Sequence, residues 1–225
     1  MPTQPTRVAV LVDGFNLYHS LVQTIEEDGA DVSIKWLNIK ALCQSQIGTL
    51  NDTNAILTHF YYFTSLAAHV GQDTVVRHKS FIKALEYTGF NIVQGEFKSK
   101  NVDCRADCKK PYTIHTEKKT DVNLAVKLLE LFYLNTCDAC LILSGDGDLF
   151  TAIETAQRLF PSKKVGILFP NRRNHRGLAR VANHHQLLTP QDYLGNRFPT
   201  RVFRGPSMED PAVAPKLWRG AFLKG

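Results

Sequence analysis

Short, almost wholly apolar runs alternate with helical segments along most of this chain, and few folds accommodate that alternation. Arg7 to Val12 lacks the in-out pattern of a half-exposed strand, as expected for a strand covered on both faces in a parallel sheet. Ala55–Phe63, Phe90–Phe97, Ala139–Leu143 and Lys164–Phe169 read as further strands, and His185–Leu188 as a short last strand or an extended connection. Helical spacing falls between them at Phe15–Ile25, Trp36–Ile47, Asp73–Tyr87, Asp121–Leu134, Asp148–Leu159 and Arg176–Asn183. The sequence therefore predicts an α/β fold with a mainly parallel sheet and right-handed crossovers. Two stretches break the alternation. Lys98–Thr116 is polar and basic and reads as a long irregular loop. From about Gly195 onward Pro, Gly and Arg recur without apolar period, which predicts a domain over 1–194 and an extended or poorly ordered tail over 195–225. Trp218 and Phe222 give that tail two aromatic groups able to dock.

Three acidic segments sit at the ends of these apolar runs: Val12-Asp13-Gly14-Phe15-Asn16, Lys119-Thr120-Asp121-Val122 and Ser144-Gly145-Asp146-Gly147-Asp148. Taken singly, each has a plain structural explanation. Asp13 or Asp121 can cap a helix, with Thr120 as a cap before Asp121, and Gly-Asp-Gly-Asp can form a turn. Taken together they converge, because ligands of open α/β sheets bind beyond the carboxyl ends of the strands, where helices also begin. Two like charges about 4 Å apart repel by roughly 4 kcal/mol at an effective dielectric of about 20. Clustered carboxylates therefore hold protons more tightly or capture a divalent cation. An all-oxygen set without histidine favours Mg²⁺ or Mn²⁺ over zinc, and such ions commonly bind phosphate oxygens and orient water. Gly14, Gly145 and Gly147 permit tight turns beside a phosphate.

The charge balance of the 225-residue chain, +6, favours an anionic partner. Lys98, Lys100, Arg105, Lys109, Lys110, Lys118, Lys119, Arg172, Arg173, Arg176 and Arg180 surround the acidic segments in sequence. Lys118, Lys119, Arg172, Arg173 and Arg176 are the candidates for nucleic-acid backbone contacts, the alternative being a solvated basic face. Five cysteines do not suit a secreted disulfide framework, no run approaches a membrane span, and the N-terminus lacks a signal-peptide layout. A cytoplasmic protein without membrane attachment is expected; a homo-oligomer is allowed, not required.

The segments Leu11-Val-Asp-Gly-Phe-Asn-Leu17, Glu117-Lys-Lys-Thr-Asp-Val122 and Leu143-Ser-Gly-Asp-Gly-Asp-Leu-Phe150 resemble the motifs of NYN domains, a branch of the PIN-like nuclease superfamily, with the LabA-like group most similar. The resemblance spans about Arg7 to Pro190 with the motifs in family order. It implies a Rossmann-like three-layer α/β/α sandwich and a metal-dependent ribonuclease that cuts RNA. On that resemblance Asp13, Asp121, Asp146 and Asp148 are the catalytic metal ligands, Asn16 and Ser144 support them, and Glu117 is an outer carboxylate. The chain departs from the family at Lys119-Thr120, where Gly-Val is common, and at Gly147, where serine is common.

Other readings stay open beside this one. A non-catalytic RNA-binding or regulatory module would keep the same acidic site. Hydrolysis of a smaller phosphoester is less well matched, since Asp146-Gly147-Asp148 follows the fourth strand and Phe150 stands where haloacid-dehalogenase-type phosphatases carry threonine. Cys104 and Cys108, with His115 nearby, allow a loop-stapling zinc, whereas Cys140 reads as core. Tyr61, Tyr62 and Phe63 read mainly as core and could alternatively stack bases.

Overall fold

The computed structural model describes residues 4–103, 111–206 and 209–220. In chain order its first elements are β1 (Thr6–Asp13), α1 (Gly14–Asp28), α2 (Ile39–Ser45), β2 (Ala55–Thr64), α3 (Gln72–Tyr87) and β3 (Asn91–Gln94). Then come β4 (Glu96–Asp103), β5 (Pro111–Lys118), α4 (Thr120–Tyr133), β6 (Ala139–Leu143) and α5 (Phe150–Leu159). The last are β7 (Lys164–Phe169), α6 (Arg176–Val181), β8 (His184–Leu187), α7 (Pro190–Gly195), β9 (Arg201–Val202) and β10 (Ala212–Val213).

Six strands form one parallel sheet in the order β3-β2-β1-β6-β7-β8. Alternate residues of the central strands enter two separate cores. Val8, Val10 and Val12 of β1 and Leu141 and Leu143 of β6 pack with Leu17 and Leu21 of α1, Leu42 of α2 and Leu85 of α3. Ala9 and Leu11 of β1 and Cys140 and Ile142 of β6 pack with Leu124 and Leu128 of α4, Ile153 of α5 and Leu178 of α6. A helix layer thus covers each face of the sheet, giving the three-layer α/β/α sandwich that the alternation of apolar runs requires. No helix among the described residues is long and apolar enough to cross a membrane.

The strand order has a direct consequence for ligands. From β1 the chain proceeds outward through β2 and β3, then returns to the other side of β1 as β6 and proceeds outward through β7 and β8. The carboxyl ends of β1 and β6 therefore flank the point where the winding reverses, the usual crevice for ligands in such sheets. Asp13 ends β1, and Ser144 follows β6 directly.

Two expectations from the sequence are corrected here. Much of the irregular loop expected over Lys98–Thr116 is an antiparallel hairpin, in which β4 pairs with β5 from Glu96↔Lys118 to Asp103↔Pro111. The strand expected over Phe90–Phe97 is accordingly split at Gly95 into β3, in the main sheet, and β4, in the hairpin. Among the described residues no helix layer covers the hairpin, and most of its described side chains face solvent, so it needs no apolar period and displays none. Cys104 and Cys108 lie outside the described residues.

The extended tail expected after Gly195 is the second. Phe198, Val202, Ala212 and Ala214 are buried in the first core, and Trp218 packs against it. The Trp36 indole N–H donates to the Pro199 carbonyl at 2.8 Å, and the Phe198 ring meets Trp36 edge-on at 5.7 Å. β9 and β10 form a short antiparallel pair whose Val213 carbonyl accepts from Ser80 of α3 at 2.6 Å. Its few core residues are spaced irregularly between Pro and Gly, so periodicity does not reveal them.

Candidate metal centre

Asp13 is a buried carboxylate held by two hydrogen bonds. It is 4% exposed, and its backbone is extended, placing the side chain as the N-cap of α1. Its Oδ1 accepts the Asn16 backbone N–H at 3.0 Å, and its Oδ2 accepts the Ser144 hydroxyl at 2.9 Å. Ser144 Oγ in turn accepts the Asp146 N–H at 3.0 Å, and Asn16 Oδ1 accepts the Gly145 N–H at 2.9 Å. Asn16 and Ser144 thereby tie the turn after β1 to the turn after β6. A Cβ at position 145 would lie 1.8 Å from the Arg173 carbonyl oxygen, so only glycine allows the turn after β6 to pack this closely on the loop after β7.

Asp146 caps the short turn that follows, accepting the Asp148 N–H through Oδ1 at 3.0 Å. Asp121 enters from the first turn of α4. Lys119 occupies the N-cap with a left-handed backbone (φ 78°) and no side-chain cap, so the Thr120 cap expected from sequence is not formed. Thr120 lies inside the helix, its buried Oγ1 without a hydrogen-bond partner. Asp13, Asp121 and Asp146 each present an oxygen such that all three lie within 4.8 Å of one another. Asp148 is exposed and stands outside this close group.

The electrostatics reflect that crowding. Burial pushes the Asp13 carboxyl up to about 6, opposed by the Asn16 and Ser144 hydrogen bonds and reinforced by the charges of Asp121 and Asp146. Asp121 is also raised, by desolvation first and then by Asp146 and Asp148. Glu117, on β5, is pushed up to about 7 by burial, with the Ser65 hydrogen bond opposing and the charges of Asp121 and Asp13 adding to the rise. Its Oε1 accepts from Ser65 Oγ at 3.1 Å. Sequence reading did not single out Ser65. The signal for it was positional: it follows β2 at the same carboxyl edge as Asp13.

Three oxygen donors on a largely preformed scaffold, with no imidazole or thiolate among them, fit a hard divalent cation. The cluster raises its own proton affinity without one, and a cation would reverse that shift. The departure at Gly147 has a steric basis. A Cβ there would lie 2.7 Å from His175 Nε2, and His175 is held by accepting the Leu178 N–H through Nδ1 at 3.2 Å as the cap of α6.

The basic candidates separate into committed and uncommitted groups. Arg172 is bound up at the surface by Glu27 and Asp28 of α1, and Lys119 pairs with Glu96 at 3.0 Å. Arg173 forms no ion pair among the described residues, and its buried Nε has no hydrogen-bond partner. Lys118 and Arg176 are exposed. The Sγ atoms of Cys137 and Cys140 lie 3.7 Å apart in the buried second core.

Residues 7–188 match the NYN domain family. The chain belongs to that family. NYN domains form part of the PIN-like nuclease superfamily, whose members generally use divalent metals. Comparison with curated protein sequences yields no match. Among solved structures, the NYN domain is similar to a crystal structure of a protein of unknown function from Vibrio parahaemolyticus. The two are 19% identical with a TM-score of 0.54, over 84% of this chain and 96% of the other. That likeness concerns the fold alone.

Proposed function

We propose that this NYN domain is a metal-dependent endoribonuclease, with Asp13, Asp121 and Asp146 holding Mg²⁺ or Mn²⁺ and Asp148 at the rim. The observation that carries the reading is the convergence of three carboxylates, from three separate elements, to within 4.8 Å at the winding reversal of the sheet. When bound, such an ion would offset the clustered charge and stabilise the charge that develops on a phosphodiester. The chain's own residues do the positioning. Asn16 and Ser144 fix the Asp13 carboxylate, and Gly145 brings the backbone of the second loop close. Arg173, uncommitted beside that loop, is suited to a backbone phosphate. Glu117, half-buried beside the carboxylates and hydrogen-bonded to Ser65, is the group suited to supply a proton to a departing oxygen. Family membership supports RNA as the substrate. The free thiols of Cys43, Cys137 and Cys140 accord with a reducing, cytoplasmic setting.

The test is incubation of labelled RNA, DNA and a simple phosphoester with the full chain in Mn²⁺ or in EDTA. Mn²⁺-dependent RNA cleavage is expected, falling by roughly a hundredfold or more in Asp146→Asn, since a lost ligand outweighs a lost supporting residue. Unchanged cleavage in that variant sinks the assignment. A second reading, a non-catalytic RNA-binding module, is favoured by Asp148 standing outside the close group. It predicts salt-sensitive RNA binding without turnover.

A further inference from the structure

Beside the carboxylates lies a cavity of about 500 Å³, within the size range of small-ligand sites. Two of its lining residues belong to the metal centre's surroundings. Gly14 follows Asp13 directly, and Glu117 feels the charges of Asp13 and Asp121. Aromatic and imidazole rings make up about half of the rest of the wall. On one side Phe15 of α1 meets Phe97 of the hairpin edge-on at 5.7 Å, and His69 packs on Phe97 at 4.7 Å. On the other, Phe81 of α3 lies between Tyr62 at 6.0 Å and Trp218 at 6.4 Å. Lys35 and Arg77 add positive charge.

We propose that this cavity receives one unpaired nucleobase of single-stranded RNA, the neighbouring phosphate lying at the three carboxylates. The proposal rests on the ribonuclease reading and assigns its substrate class. Flat aromatic and imidazole faces suit a base, which binds by stacking with little regard to sequence. The few polar groups, among them Thr64 and His78 paired at 3.2 Å, suit the hydrogen-bonding edge of a base. Lys35 and Arg77 suit the anionic backbone that the base brings with it. A base within a duplex cannot enter, so the cavity selects single strands.

Trp218 makes the cavity self-reporting. It lines the wall, whereas the chain's other tryptophan, Trp36, is fully buried in the first core. The experiment is titration of the full chain in EDTA with the four nucleoside 5′-monophosphates, with ribose 5-phosphate as the baseless control, followed by tryptophan emission. A single-stranded oligoribonucleotide and the same oligonucleotide with one abasic position extend the series. The expected result is a saturable change in emission with nucleotides that ribose 5-phosphate does not give and Trp218→Phe abolishes. Phe97→Ala, which removes a partly exposed ring from the hairpin, should weaken nucleotide binding roughly tenfold. No response up to millimolar nucleotide, equal binding of ribose 5-phosphate, or unchanged affinity in Phe97→Ala overturns the proposal. Because EDTA removes any turnover, the two readings fail separately. Cleavage without nucleotide binding sinks the cavity and leaves the nuclease, and nucleotide binding without cleavage does the reverse.

Discussion

Asp13→Asn separates two roles that one side chain combines, capping α1 and carrying a charge into the protein. In the metal-free fold the Asp13 carboxyl is pushed from an ordinary value of 3.8 up to about 6, chiefly by burial. Its folded-state value lies above its unfolded one, so the folded chain holds this proton more tightly. The associated stability is fully present below about pH 4 and is lost as pH rises through about 6. At about 1.4 kcal/mol per pH unit, the ionised carboxylate costs the metal-free protein about 3 kcal/mol above that range. Asparagine removes the charge yet keeps an oxygen for the Asn16 N–H, while the Ser144 hydroxyl can turn to accept from the new amide. Allowing about 1 kcal/mol for a poorer hydrogen bond, the variant should be about 2 kcal/mol more stable than the parent near pH 8 in EDTA. Near pH 4 that advantage should vanish. Urea unfolding across this range, in EDTA and in Mn²⁺, measures it. Mn²⁺ should stabilise the parent and not the variant, reversing their order, because a ligand that binds only the folded state adds to its stability. A variant less stable than the parent near pH 8 in EDTA, or a difference indifferent to pH, would refute the view that Asp13 is a buried charge awaiting a cation.

Two further outcomes test the surroundings. Arg173→Ala should weaken RNA binding and lower the salt slope of affinity by about 1, whereas Arg172→Ala, already engaged by Glu27 and Asp28, should leave both nearly unchanged; equal effects in filter binding would contradict the division. Phe198→Ala should cost about 3 kcal/mol or more in urea unfolding, because the ring is 2% exposed against Trp36. A loss under about 1 kcal/mol would show that the segment after Gly195 is dispensable to the core.

The sandwich and the acidic edge were legible in the sequence because burial on both faces leaves a run such as Arg7–Val12 almost no polar choice. Acidic residues that close such a run or follow it within a few residues lie at the carboxyl edge, as Asp13 does at the end of β1 and Asp146 just beyond β6. Asp121 lies near that edge for a different reason: the hairpin of β4 and β5 leaves from the end of β3 and returns the chain there at the start of α4. The hairpin of β4 and β5 was not legible, since a ribbon that buries little exerts little selection on its pattern. Nor was the packing of Phe198 and Val202, where a few irregularly spaced residues join the first core.

By itself, then, the sequence determined the layered fold and the sheet edge along which the aspartates lie, because periodicity and chain direction are local properties. Only the tertiary structure decided which groups share that edge. It drew Asp13, Asp121 and Asp146 together and set Asp148 apart, engaged Arg172 and left Arg173 uncommitted, and placed an aromatic cavity beside the carboxylates. Those outcomes depend on distances between elements far apart in the chain, set by how the two helix layers pack on the sheet, and no local pattern encodes them.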